Sequence, residues 1–381
     1  MENLTTDIVR NSLDIKLLNL QSYWRKKWIK SNDNQLKTNR SLNIWSSFLG
    51  TFTTTVQVIV PILILLLGFS LLNNNVVTLG ELVAASTISP SFIAPIVSLS
   101  NNITKFIALK SYIVRIEDVF QTKKEIVNRS ETKNLLFHDS LKINNLYYRF
   151  GPFEDYVLEN INVEIMEGKT TAIVGASGSG KTTLVKIILG LISPEKGEIL
   201  IDNQNIKKID IGQYRNLFST VMQNSSLFYG SIEDNLTFNK KYKKEELREA
   251  CEKVGIYDYI ESLPLKFNTI ISESGDNISG GQKQKLLLAR AILLKKKILL
   301  LDEATSNIDS NKEIEISNNI DNLNITKIII AHRLSTIKNA DYIYVLKDKK
   351  IVEQGTHDRL WSNKGTYYKL YKESHCEDFK P

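Results

Sequence analysis

A chain of 381 residues with 42% apolar and 24% charged residues is too rich in core-forming side chains to be disordered throughout, and it has room for about two domains. The formal charge of +7 does not come from a long single-sign tract. Lys and Arg alternate with Asp and Glu through the C-terminal two thirds, which argues against nucleic acid as a partner.

The N-terminal third is asymmetric in charge. Residues 1–40 carry eight basic and four acidic side chains, and the next forty positions, Ser41 to Gly80, carry none. Ile8, Leu13, Leu17, Leu20, Trp24 and Trp28 recur at helical spacing, which predicts one long amphipathic helix over about 5–40. No basic start followed by an apolar block opens the chain, so the N-terminus is expected to stay in the cytosol. From about 44 to 72 the apolar run is long enough for the roughly 20 residues a bilayer requires, with Pro61 inside it. Asn73-Asn74-Asn75 interrupts it, and after the lone Glu81 the stretch from Leu82 to Thr104 is again uncharged, which predicts a second span over about 82–107. Lys26, Lys27, Lys30, Lys37 and Arg40 flank the first span and Lys105, Lys110 and Arg115 the second, whereas the asparagine loop has no Lys or Arg. That bias places both outer ends, and with them both termini, on the cytoplasmic side of a lipid bilayer.

A charged connector over 126–139 marks the boundary to a second domain, 140–381. Leu141 to Phe150 and Val157 to Ile165 read as strands. Thr170 to Val174 is short, apolar and β-branched, and it leads into Gly175-Ala176-Ser177-Gly178-Ser179-Gly180-Lys181-Thr182-Thr183. This fits Gly, four residues, Gly-Lys-Ser/Thr, the phosphate-binding P-loop, and the helical pattern after it completes strand, loop, helix. Glycines allow successive N–H groups to point at an anion, Lys181 can reach the β/γ-phosphates, and the Thr182 hydroxyl can ligate Mg²⁺.

Downstream, Lys297 to Leu301 is a buried strand ending in Asp302 and Glu303, a pairing that suits a Mg²⁺ ligand, acting through water, and a general base for the attacking water. Asn277-Ile278-Ser279-Gly280-Gly281-Gln282-Lys283-Gln284 opens a helix and offers a hydroxyl and glycine N–H groups to a second anion. A second phosphate site becomes useful when two copies face head to tail and sandwich one nucleotide.

The order and spacing of these motifs resemble those of ATP-binding cassette (ABC) transporters. Gly175 to Thr182 is similar to the family's Walker A motif, Leu299 to Glu303 to its Walker B motif, and Ser279, Gly280, Gly281 and Gln282 to its signature sequence. The resemblance implies an α/β P-loop NTPase domain behind a partial α-helical transmembrane domain of two spans, residues 1–125, with ATP and Mg²⁺ as cofactors. It makes Gln223 the Q-loop glutamine that touches Mg²⁺ and water, His332 the switch histidine, Ser306 to Asp309 the D-loop, and Phe150 the aromatic that stacks on adenine, with Tyr148 as the alternative. Residues 77–83 and 111–119 are similar to stretches of bacterial peptide and bacteriocin exporters, which implies a bacterial inner (plasma) membrane.

Two departures stand out. Ile270 follows Thr269 where exporters usually have an acidic residue, although Glu273 remains. The two spans match the fifth and sixth helices of an exporter half, so a companion membrane chain supplying the first four is expected, beside homo- or heterodimerisation through the ATP-binding domains. The alternatives at this stage are a split or truncated exporter remnant with ATPase but no transport, and a cassette ATPase with a non-transport role.

Overall fold

The computed structural model describes residues 2–74, 76–121, 135–272, 277–330 and 337–375, which fall into two compact units, 1–124 and 125–381. In the first, α1 (Glu2–Arg10), α2 (Ser12–Leu17) and α3 (Gln21–Asn73) replace the single N-terminal helix expected over 5–40. The cause is local. Asn19 lies at φ 53°, a left-handed conformation that Asn tolerates and a helix does not. The break also undoes the expected stripe: Leu13 and Leu17 are exposed, and Ile15 is the buried residue of α2. The Trp28 indole N–H donates to the Thr5 hydroxyl at 3.3 Å, which ties α3 back to α1.

The long helix α3 runs through Pro61, and α4 (Leu79–Gln121) runs through Pro90 and Pro95. Thr78 and Glu81 exchange backbone and side-chain hydrogen bonds at the start of α4, so the lone carboxylate expected between the spans serves as a helix cap. Leu82 packs directly on Gly68, where a Cβ would collide with it, and α3 and α4 thereby form a hairpin. Among the described residues one segment, Gly50–Asn73, is long and apolar enough to cross a bilayer, and little of it is buried. The second expected span lies within α4, and many of its side chains fall outside the description.

The second unit is built on a six-stranded sheet and a four-stranded antiparallel one. Its elements are β1 (Ser140–Tyr148), β2 (Leu158–Met166), β3 (Thr170–Val174), α5 (Lys181–Ile188), β4 (Lys196–Ile201), β5 (Gln204–Asn205), α6 (Ile211–Arg215) and β6 (Phe218–Val221). Then come β7 (Gly230–Ser231), α7 (Ile232–Thr237), α8 (Lys244–Lys253), α9 (Tyr257–Ser262), β8 (Ile270–Ile271), α10 (Gly280–Leu293) and β9 (Ile298–Asp302). The chain closes with α11 (Ser310–Asp321), β10 (Thr326–Ile330), β11 (Tyr342–Lys347), β12 (Lys350–Gly355), α12 (His357–Ser362) and α13 (Thr366–His375). The main sheet has the order β12-β11-β3-β10-β9-β6, parallel from β11 to β6.

Its central strands, β3, β10 and β9, are buried at every residue, as expected for parallel strands covered on both faces. One core joins α5 to both sheets, a second lies under α7, α8 and α10, and a third packs α12 and α13 on the far face of β3 and β11.

Candidate functional site

The register of the main sheet assembles the site. Ile330 of β10 pairs with Ile173 of β3 on one side and with Asp302 of β9 on the other, while Leu301 pairs with Val221 of β6. The loop after β3, the Asp302-Glu303 pair and Gln223, two residues beyond β6, therefore leave the same carboxyl edge, where parallel α/β sheets bind ligands. His332 follows β10 and lies outside the described residues, as do Glu273 and residues 126–134 of the connector.

The loop from Gly175 to Gly180 is shaped by contacts that only glycine permits. A Cβ on Gly175 would strike the Leu346 carbonyl, and Gly180, at φ 103°, would meet the Leu158 side chain and the Val157 carbonyl. Ser177 and Gly178 are exposed, while Ser179 turns its hydroxyl inward without a partner among the described residues. Helix α5 then begins at Lys181 with Gly180 as its N-cap and no side chain capping it. The first-turn N–H groups beside Thr182 and Thr183 are thus available to an anion.

Lys181 is 5% exposed, and its ammonium donates to the carbonyls of Gly175 and Ala176 at 2.8 Å each. Burial lowers its pKa, against the pull of Glu303 and Asp302. Asp302 is 1% exposed and neither of its oxygens has a hydrogen-bond partner among the described residues. Burial raises its carboxyl to about 6 and Glu303 adds to the rise. Lys181 opposes it, as does the Thr182 hydroxyl, which lies close enough to temper the charge without completing a hydrogen bond.

Glu303 stands at φ 51°, its N–H donating to the Ile330 carbonyl at 2.9 Å, which turns its side chain out of the strand line. Its carboxylate accepts from the Gln223 amide at 2.9 Å across 80 positions of sequence.

A buried carboxylate with both oxygens unsatisfied, beside a threonine hydroxyl, is a donor set that fits Mg²⁺. Among the described residues no cluster of three or more His, Cys, Asp or Glu side chains is placed to hold a metal. A single carboxylate with phosphate oxygens and water is the arrangement Mg²⁺ favours.

The signature stretch lies elsewhere on the unit. Ser279 caps α10: its hydroxyl accepts from the Gln282 N–H at 3.3 Å, and the Gln282 side chain accepts from the Ser279 N–H at 3.0 Å. Gly280 is exposed and Gly281 half-buried, and a Cβ at Gly281 would come within 2.9 Å of the Asn307 carbonyl. Phe150 is 65% exposed and stands edge-on to Tyr148 with ring centroids 5.3 Å apart. The Val157 N–H donates to the Tyr148 carbonyl at 2.8 Å, and Val157 touches Gly180, which brings the Tyr148–Phe150 end of β1 to the P-loop's flank. At Ile270, the departure from the exporter pattern, the side chain is half-exposed in the short pairing of β7 with β8.

The family "ABC transporter" matches residues 158–306 and the family "ABC transporter transmembrane region" matches residues 1–96. The chain is 36% identical over 320 residues to the lactococcin transport/processing ATP-binding protein LcnC-like of Lactococcus lactis, covering 84% of this chain and 44% of that protein. It is 36% identical over 316 residues to the alpha-hemolysin translocation ATP-binding protein HlyB of Escherichia coli, covering 82% of this chain and 45% of that protein. The chain thus spans somewhat less than half the length of these relatives. A solved structure of a bacterial Atm1-family ABC exporter with ATP bound superposes with a TM-score of 0.82 at 24% identity, covering 98% of this chain and 66% of that one. At that identity the likeness concerns the fold.

Proposed function

We propose, for a chain that belongs to the ABC transporter family, that it is the ATP-binding and ATP-hydrolysing part of a membrane exporter. The observation that carries the reading is the buried, unsatisfied Asp302 held beside Lys181 and next to the Gln223–Glu303 pair. In this reading Gly175 to Thr183 hold the phosphates, Lys181 meets the β/γ-phosphates, and Phe150 stacks on the base. A bound Mg²⁺ would neutralise charge on the phosphate oxygens, and Thr182, Asp302 and Gln223 are the residues that would hold it. Glu303 takes the proton from the attacking water, oriented by the hydrogen bond from Gln223. His332, just past β10, completes the site near the γ-phosphate.

Ser279, Gly280, Gly281 and Gln282 act on the nucleotide of a second copy or a related chain, through dimerisation of the ATP-binding domains. Residues 1–125 form part of a transmembrane domain with two spans, 126–139 a linker and 140–381 the ATP-binding domain. The ATP-binding domain and both termini lie on the cytoplasmic side of a bacterial plasma membrane. A six-helix half needs four further spans, on this polypeptide or a companion chain, to complete a pathway. The printed names of the relatives, a lactococcin and a hemolysin system, support a peptide or another small amphipathic substrate as cargo.

The test is Glu303→Gln in the purified chain. The amide can still orient water but cannot take its proton, so turnover should fall by about 100-fold or more while equilibrium ATP binding stays within twofold. Turnover near the wild-type rate would remove Glu303 from this role.

A further inference from the structure

Gln284 takes no part in the reading above, although it sits one turn into α10 between the signature glycines and the core. Its amide makes two hydrogen bonds to one loop: the Nε2 group donates to the Ser306 hydroxyl at 2.9 Å, and Oε1 accepts from the Asn307 N–H at 2.8 Å. A third contact joins the same two segments, because the Asn307 carbonyl oxygen lies 2.9 Å from where a Cβ of Gly281 would be, and the Asn307 side chain lies 3.7 Å from the corresponding point on Gly280. The loop is also held at its base, where the Thr305 hydroxyl donates to the buried Glu313 carboxylate at 2.8 Å. The turn after the Asp302-Glu303 pair is therefore fastened to the first turn of α10 through one side chain that uses its donor and its acceptor together.

We propose that Gln284 is a positioning residue that locks residues 305–309 onto the start of α10, so that Ser279 and this loop meet the partner copy's nucleotide as one rigid edge. This rests on the two-copy sandwich proposed above. Gln284 touches neither nucleotide nor water in this reading. It acts by removing the freedom of two segments that must arrive together. The close approach also assigns a reason to glycine at 281 that is independent of nucleotide: the Asn307 carbonyl oxygen is too near to admit a Cβ.

The experiment compares Gln284→Leu, which removes both bonds, with Gln284→Glu, whose carboxylate can accept from the Asn307 N–H and from the Ser306 hydroxyl. Amide exchange at Asn307, nucleotide titration and steady-state turnover are measured on the full chain. Gln284→Leu should speed exchange at Asn307 and lower kcat, each by about tenfold, with ATP binding at the P-loop within twofold. Gln284→Glu should recover both. Wild-type exchange at Asn307 in Gln284→Leu, or faster exchange with an unchanged kcat, would overturn the proposal. A wild-type chain without ATP turnover would instead overturn the functional reading on which it rests, and the exchange measurement would still report on the clamp.

Discussion

Helices α5 and α10 both begin on glycine-rich turns, and their first turns are finished in opposite ways. At α5 the N-cap is Gly180, no side chain reaches back, and the nearest cation is folded inward onto the loop's own carbonyls. At α10 a reciprocal capping box of Ser279 and Gln282 satisfies two backbone N–H groups from within the chain. The first terminus is open to an anion as it stands, at a cost in helix stability that a bound phosphate would offset. The second is stable alone, and its serine keeps a free O–H because it accepts rather than donates in the cap. On the proposed reading a monomer loads nucleotide at α5, whereas α10 acts only when a partner's phosphate arrives.

That contrast can be broken from either side. The largest effect is expected from Lys181→Ala, which removes the buried cation from the open terminus and should weaken ATP binding by about 100-fold in an equilibrium titration. Unchanged affinity would mean that the backbone alone carries the phosphates.

Next comes Asp302→Asn, which bears on the charge behind the open terminus. The Asp302 carboxyl is raised from 3.8 to about 6, so the fold favours its protonated form. The stability conferred by the protonated form is full below about pH 4 and is lost as pH rises through about 6. The amide variant should therefore be more stable than wild type at pH 7.5 in the nucleotide-free state by about 2 kcal/mol after discounting for solvent screening. Thermal melts should show the difference closing toward pH 4. The same variant should lose the stabilisation that Mg²⁺ with ATP gives wild type. Equal melting temperatures at pH 7.5 would show that the carboxylate is not strained by burial.

The smallest effect concerns the closed terminus. Ser279→Ala should cost about 1 kcal/mol of helix stability. It should also lower turnover by about tenfold, with ATP binding unchanged. Ser279→Asp separates the two roles, since Asp caps as well as Ser but repels phosphate: the melt should recover while turnover falls further. Recovery of turnover along with the melt would reduce Ser279 to a cap.

The chain's local patterns determined much on their own. Strand, loop and helix around Gly175 to Thr183 were legible because glycine placement, a β-branched run and helical periodicity are encoded within a few residues of one another, and β3 and α5 follow that reading. The strand ending at Asp302 was legible for the same reason. The start of the chain was not: a regular apolar spacing across residues 8–28 says nothing of Asn19 adopting the left-handed conformation that parts α2 from α3, nor of the turn at Asn11 that parts α1 from α2. Nor could spacing supply the strand order β3-β10-β9-β6, because strands buried on both faces have no alternation to mark their neighbours. Only that order sets Asp302 level with Ile173, brings the Gln223 amide to Glu303 and leaves Gln284 against Ser306 and Asn307. The hydrogen bonds among these join residues 22 to 80 positions apart, and their energies depend on backbone register and burial that no short window of sequence contains.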